Sequence, residues 1–333
     1  MKGYYEIIVK IFQRFLIPFG IGVGACVIFF YYHPIPTQGA TRAFRLNQDD
    51  YPLVKPLLIC NTYPTNINQN KQLTDEVDNF VNARISAGQA ENISVYIIDY
   101  TAGTIVAINE NERYNPASML KVPLMIAYYQ LAEKNPALLS QTLSYTGQNQ
   151  NSGEYFKPLH TVTPGQVYSV NQLISDMIIY SDNTALALLQ HFVDARSLAD
   201  IYNDLDLPTP PNDPSVEYLS ARSFASFFRI LYNATYLTHA DSQKALELLS
   251  QTKFSEGIRN GVPAQITVAD KFGERSVYNE KNVLVNRELH DCGIVYKPGY
   301  PYLLCIMSRG KDFNVLAKNI RDLSTLVYTK IGQ

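Results

Sequence analysis

Tryptophan is absent from the 333 residues, cysteine occurs four times, and neither sign of charge dominates. With 28 Lys and Arg against 30 Asp and Glu, the net charge gives no reason to expect a polyanionic partner. No basic stripe interleaved with aromatics appears either, so nucleic-acid binding is not expected. His33, His160, His191, His239 and His290 fall in no HExxH or Cys/His metal spacing. There is no glycine-rich phosphate loop, no Gly-x-Ser-x-Gly elbow and no internal repeat, so neither a metal nor a cofactor is expected. The apolar and charged fractions are ordinary, and a chain of this length can bury a sizeable core.

The cysteines are Cys26, Cys60, Cys292 and Cys305, and their spacing fits neither a CxxC site nor a dense disulfide framework. Cys292 and Cys305 flank a turn-like stretch, Tyr296 to Pro301, at equal distances on two apolar strand candidates. They are placed to face each other across a hairpin. A disulfide is open to them outside the cytoplasm, but the usual burial of free cysteine favours two small buried thiols.

What the sequence does have begins with an uncharged run, Phe15 to Tyr32. As a helix it spans about 27 Å, close to the bilayer core. Lys2, Lys10 and Arg14 precede it, so the positive-inside rule places the N-terminus in the cytoplasm and everything later outside. A single-pass anchor to the cell membrane over residues 1–33 is therefore expected. A cleaved signal peptide is disfavoured because no small-x-small site follows the run. Val23-Gly24-Ala25-Cys26 resembles a lipoprotein box, but the apolar stretch continues past it. Residues 34–71 have the composition of a linker, with Pro34, Pro36, Pro52, Pro56 and Pro64 and a polar tract from Asn66 to Gln72. Val54 to Cys60 is apolar enough to dock as a short edge segment.

Residues 72–333 read as one folded domain. Thr74 is a candidate cap for a helix to about Ser86, and Ile93–Tyr100 and Thr104–Ile108 read as a hairpin. A helix is expected over Ser118–Glu133. Ser169-Val170-Asn171-Gln172 forms a capping box for a helix to Tyr180. Further helices are expected over Thr184–Phe192, Asp194–Asp204, Ser220–Leu237 and Asp241–Thr252. Strands return at Gln265–Gly273, Leu289–Tyr296 and Tyr302–Arg309, followed by an amphipathic helix over Phe313–Ile331. Strands at both ends with helices between predict an α/β domain of α+β type. Its antiparallel sheet is flanked by terminal helices, and an all-helical subdomain is inserted.

Three short motifs carry chemistry. Ser118-Met119-Leu120-Lys121 is an S-x-x-K match, a weak signal alone, since Ser250–Lys253 and Ser308–Lys311 match as well. Position separates them: Ser118 opens a helix, where N–H groups and the dipole favour a developing anion. Residues three apart share a helix face, so the Lys121 amine can reach the Ser118 hydroxyl. A serine needs a base to become a nucleophile, and a lysine serves only when its surroundings lower its pKa. Ser181-Asp182-Asn183 occurs once, between two helices, where Ser181 is placed to pass a proton to a leaving nitrogen. Lys271-Phe272-Gly273 lies on a strand candidate. There a lysine can polarise Ser181, and the glycine allows close approach of a substrate backbone. Each motif has a plainer reading: a capped helix start, a polar turn, an edge-strand lysine beside a bend.

Together, in this order and at these gaps, they resemble the S-x-x-K, S-D-N and K-T-G set of class A β-lactamases and penicillin-binding proteins. The resemblance covers residues 72–333 and implies Ser118 as nucleophile and Lys121 as base. It also implies Ser181 as proton shuttle, Asn183 as substrate amide contact and Lys271 as carboxylate anchor, with an oxyanion hole from the N–H groups of Ser118 and Glu274. The runs around Pro116–Pro123 and His290–Val295 look closest to membrane-anchored bacterial serine hydrolases of this group. The implied partner is a β-lactam or a peptidoglycan stem peptide. Two departures stand out. Phe272 occupies the position of a Thr or Ser whose hydroxyl helps hold a substrate carboxylate. The E-x-x-L-N loop that activates the deacylating water in class A β-lactamases is also absent. Glu217 falls at about the right distance to replace that base, yet its context reads as the entrance to the next helix. A β-lactamase-like hydrolase, a D,D-peptidase-like enzyme with slow deacylation, an acyl-trapping receptor and a pseudoenzyme scaffold all remain open.

Overall fold

The computed structural model describes residues 44–45, 50–59, 70–190, 195–213 and 215–333. The expected membrane anchor, most of the linker and the cysteines Cys26 and Cys60 lie outside these residues. Among the described residues no helix is long and apolar enough to cross a membrane.

The strands β1 (Phe44–Arg45) and β2 (Leu57–Ile59) pair with each other, so the apolar segment expected to dock as a short edge supplies one strand of a small two-stranded sheet. Helix α1 (Lys71–Ser86) starts one turn earlier than its sequence suggests. Asn70 caps it, accepting from Leu73 N, while the Thr74 hydroxyl donates to the Asn70 carbonyl instead. Strands β3 (Asn92–Asp99), β4 (Ile105–Ile108) and β5 (Arg113–Tyr114) follow. A single 3-10 turn, Ala117–Leu120, then leads into α2 (Lys121–Lys134). Strands β6 (Thr142–Ser144) and β7 (Val167–Ser169) bracket a long loop and open α3 (Val170–Ile179), where the Ser169–Gln172 capping box forms as expected. Helices α4 (Asn183–Leu189) and α5 (Ala195–Asp204) are followed by β8 (Leu219–Ser220), which pairs with β5. Helices α6 (Ala221–Asn233) and α7 (His239–Ser250) close the inserted helical part. The chain ends with β9 (Val268–Tyr278), β10 (Leu284–Val295), β11 (Tyr302–Gly310) and α8 (Phe313–Lys330).

The main sheet is antiparallel in the order β4-β3-β11-β10-β9, as the strand–helix–strand pattern predicts. Both of its faces are covered, which is why its strands read as almost continuous apolar runs. Val95, Ile97, Leu304 and Ile306 face α1 and α8, where they meet Leu73, Val77, Leu316 and Ile320. Their neighbours Tyr96, Leu303, Cys305 and Met307 face the helical insertion and its core of Phe224, Phe227 and Phe228. Period-two alternation thus divides one set of strands between two cores. Because the sheet ends on β9, that edge is free to border the site.

Cys292 and Cys305 stand directly opposite in the β10–β11 register and are joined by a disulfide, not left as two buried thiols. The reason is register: directly paired residues point to the same face, and here that face is the sealed core beneath α6. Replacing both by Ala is expected to cost about 2–4 kcal/mol, less where the hairpin already restrains the unfolded chain. Thermal melts of the oxidised and doubly substituted proteins measure the difference.

Candidate active site

The turn carrying Ser118 is shaped by its neighbours in sequence and by β9. Asn115 Oδ1 accepts from Ala117 N, and Ala117 takes the left-handed backbone conformation with φ 48°. Behind it, buried His290 has one tautomer set by its partners. Ser308 N–H donates to Nδ1, so Nε2 carries the proton and donates to the Asn115 carbonyl at 3.1 Å. Burial holds His290 neutral, with its pKa lowered to about 3. This brace for the nucleophile turn leaves no sign in the sequence: His290 stands there without a metal spacing, at the head of a run that only resembles related hydrolases.

Gly273 meets that same turn. A Cβ at this position would lie 2.4 Å from the Pro116 carbonyl and 3.1 Å from Met119 N. The glycine therefore admits the protein's own nucleophile turn against β9, a different demand from the substrate approach read from sequence. Gly273→Ala is expected to destabilise the fold by about 1–3 kcal/mol through overpacking and to displace Ser118. Denaturant unfolding and the rate of covalent labelling at Ser118 check the two effects, and a variant normal in both would refute the close approach.

Lys121 is 1% exposed, and its Nζ lies 3.0 Å from Ser118 Oγ, 2.6 Å from the Ser181 carbonyl and 2.7 Å from Asn183 Oδ1. Burial lowers its pKa to about 8, against the opposing pull of Glu154, Asp182 and Glu274. A neutral amine fits this cage: two N–H groups serve the two carbonyl oxygens, and the lone pair faces the Ser118 hydroxyl. Ser181 holds φ 59° at the joint between α3 and α4, a strained conformation that turns its hydroxyl inward. Its Oγ lies 3.1 Å from Lys121 Nζ and accepts from Lys271 Nζ at 2.9 Å. Burial, then the charge of Lys121, push the Lys271 pKa well down. The structure thus brings Ser118, Lys121, Ser181, Asn183 and Lys271 into one hydrogen-bonded chain.

Asp182, fully buried, accepts from Asn151 Nδ2, Thr161 Oγ1, Val162 N and Thr184 N. It therefore fastens the long β6–β7 loop to the Ser181 joint, a wider reach than bracing its own turn. That loop delivers Glu154, whose carboxylate accepts from Asn183 Nδ2. Asn183, read from sequence as a substrate amide contact, consequently has both ends of its amide engaged within the protein. Glu274 contributes more than a backbone N–H. Its Oε1 accepts from Phe156 N at 2.9 Å, and burial followed by the contact with Glu154 raises its pKa to about 8. Sequence reading missed Glu154 and Asn151 because they sit in a polar loop with no motif, brought to the site by tertiary contacts alone.

Ser118, Lys121, Glu154, Asn183 and Glu274 all line one cavity of about 620 Å³. Its far wall is apolar, with Leu186, Leu198, Tyr202 and Pro210. Another depression of about 660 Å³, around Tyr129, Ser169 and Lys244, contains none of the motif residues. Phe272 stacks on Phe254 with ring centroids 4.0 Å apart and sits 4.5 Å from Lys271 Nζ, so it seals the lysine and offers no hydroxyl. Glu217 is placed outside the cavity lining. It forms a salt bridge with Arg309, beside the buried Glu288. The antiparallel pairing of β8 with β5 runs this segment along the residues just before the Ser118 turn, and Arg309 near the end of β11 holds the Glu217 carboxylate there. Among the described residues, no group of three or more His, Cys, Asp or Glu is arranged to hold a metal ion.

Residues 72–331 match the model of the family described as the beta-lactamase enzyme family. The chain belongs to that family. Among curated relatives, beta-lactamase FAR-1 of Nocardia farcinica is 26% identical over 207 residues, covering 58% of this chain and 65% of the relative. The match thus spans just under two thirds of that relative's length. Among solved structures, PBP-A as an acyl-enzyme complex with penicillin G aligns with TM-score 0.65 and 18% identity. That alignment covers 79% of this chain and 97% of the other. The TLA-3 extended-spectrum beta-lactamase aligns with TM-score 0.67 and 16% identity, covering 77% and 98%. A beta-lactamase from Sphaerobacter thermophilus gives 0.61 and 19%, covering 76% and 95%. The fold of this family member is accordingly the β-lactamase fold anticipated from its motifs.

Proposed function

We propose that this β-lactamase-family protein is a serine hydrolase acylated at Ser118 by a β-lactam or a D,D-type peptide amide. The observation that carries the reading is the position of Lys121 Nζ, in reach of both Ser118 Oγ and Ser181 Oγ inside a cage that favours the neutral amine. Lys121 takes the Ser118 proton as Oγ bonds to the carbonyl carbon. The charge that develops on the carbonyl oxygen falls to the N–H groups of Ser118 and Glu274, which border the same cavity. As the C–N bond breaks, the leaving nitrogen takes the Ser181 proton. Lys121 restores that proton, and Lys271 keeps the Ser181 oxygen oriented throughout. The chain supplies every group this step uses.

Within this reading, slow deacylation of the penicillin-binding kind is favoured over rapid turnover. The carboxylates in the cavity are engaged with each other, with Asn183 and with Phe156 N, and Glu217 is held by Arg309. We further propose that the domain works outside the cytoplasm, tethered by the apolar run Phe15–Tyr32. The Cys292–Cys305 disulfide supports an oxidising compartment. Intact-mass measurement after brief exposure to benzylpenicillin tests the central claim. A mass gain equal to the whole lactam, mapped to the Ser118 peptide, is expected, and no gain overturns it.

A further inference from the structure

Three helices turn apolar residues at helical spacing toward the Ser118 cavity, where such stripes would ordinarily pack into a core. Leu120 and Leu124 stand at the start of α2, Leu186 on α4, and Leu198 and Tyr202 on α5. Residues three or four apart share a helix face, so α4 presents Asn183, Leu186 and Gln190 in one stripe that begins at the motif and runs along this apolar lobe. Leu120, Leu186 and Leu198 each pack against the core on one side, yet stay only half-buried because the other side is open to the cavity. A space of about 620 Å³ holds more than the reacting amide. The second observation is direction. Ser181 and Lys271 do not line this cavity; their chain neighbours Tyr180 and Phe272 line a different depression of about 290 Å³, together with Phe156 and Lys253. In the reaction proposed above, Ser181 protonates the leaving nitrogen. The departing half of the substrate therefore lies on the Ser181 side, and the half that stays on Ser118 lies toward the lobe.

We propose that the lobe between α2, α4 and α5 is an acyl-side specificity pocket. It selects acyl donors that carry, on the side of the carbonyl carbon, an apolar group of phenyl size or larger, and Leu186 and Leu198 set that preference. The inference rests on the reading of Ser118 as the acylated nucleophile. An apolar group entering the lobe takes the open sides of Leu120, Leu186 and Leu198 out of water, which favours its binding in proportion to the area covered. A polar or charged group there would give up its water to a wall made mainly of leucine side chains. Because the acyl half remains on Ser118 after the C–N bond breaks, the lobe stays covered through the lifetime of the ester.

The full-length protein is treated with benzylpenicillin and with the analogue whose phenylacetamido group is replaced by acetamido. The second-order rate of adduct formation at Ser118 is followed by quenched intact-mass measurement. The two probes share the bicyclic nucleus, the carboxylate and the side-chain amide, so the ratio of their rates reads the acyl-side group alone. Benzylpenicillin is expected to react at least about tenfold faster, the lower end of what burying a phenyl-sized side chain supplies. Leu186→Gln and Leu198→Gln should each shrink that ratio at least about fourfold, the scale of one buried methylene. Val167→Gln, at an exposed apolar residue of β7 outside the cavity, should leave it unchanged. A native ratio near one, a faster acetamido analogue, or a ratio that neither cavity variant moves overturns the proposal. If a glutamine variant fails to fold, Leu186→Ala or Leu198→Ala takes its place and must shrink the ratio likewise. Equal rates would remove the pocket and leave Ser118 in place, whereas no adduct with either probe would remove Ser118 as an acylated nucleophile, and this inference with it.

Discussion

Ser118→Ala is expected to eliminate covalent labelling by a fluorescent penicillin while leaving the melting temperature close to that of the native protein. The hydroxyl removed is only partly buried and makes a single side-chain contact, with Lys121, so little stability depends on it. Lys121→Ala should slow labelling by at least about a hundredfold, the scale of a lost general base. It empties a buried cage of three oxygen partners, so its stability should be followed in parallel. Lys121→Arg keeps a cation but cannot become neutral, and should be as inert as the alanine variant. In the native protein burial lowers the Lys121 pKa to about 8, and the working base is the neutral amine. The acylation rate should therefore climb about tenfold per pH unit below that value and level off above it. A rate flat between pH 6 and 9, or labelling that persists in Ser118→Ala, would remove this pair from the mechanism.

Much of this arrangement was legible in the sequence because its signals are local. The Ser169 capping box, the Ser181-Asp182-Asn183 joint and the three apolar strands of the C-terminal half each declare themselves within a few residues. The sheet order follows from them once helices occupy the middle of the chain. Signals that needed a partner distant in sequence were misread or missed. Gly273 reads in sequence as room for a substrate backbone, and the demand that Pro116 places on it has no local signal. Cys292 and Cys305 were seen to face each other, but nothing in a strand pattern distinguishes two thiols from a disulfide. The β9–β10 hairpin continues to Tyr278 and Leu284, beyond its expected ends. Its outer half is mostly half-buried and mixes Arg275, Ser276, Asn286 and Arg287 with Val277, Tyr278, Leu284 and Val285, so the continuous apolar run used to find strands breaks there. Glu154 had no signal at all: it reaches the site because Asp182 fastens its loop, a contact between residues of two different elements.

The lifetime of the Ser118 ester carries the second large expectation. A water attacking that ester needs a carboxylate free to take its proton, and general-base help of this kind is worth about 10²–10⁴-fold. Glu217, the one acid that sequence spacing offered, forms a salt bridge with Arg309 and does not line the cavity. The acids that do line it are Glu154, committed to Asn183, and Glu274, whose raised pKa leaves it largely protonated at neutral pH and unable to act as a base. The penicilloyl adduct should therefore form readily and decay slowly, with weak multiple turnover, and Glu217→Gln should alter its lifetime less than twofold. Glu154→Gln tests the first of the two lining acids, since an unchanged lifetime means that Glu154 does not serve the ester. Fast turnover that collapses in Glu154→Gln would make this loop carboxylate the deacylation base. Decay that accelerates above pH 8, as Glu274 ionises, would assign the role to Glu274. Rapid turnover untouched by all three changes would refute the slow ester and leave Lys121, the one remaining base in contact with Ser118, to activate the water.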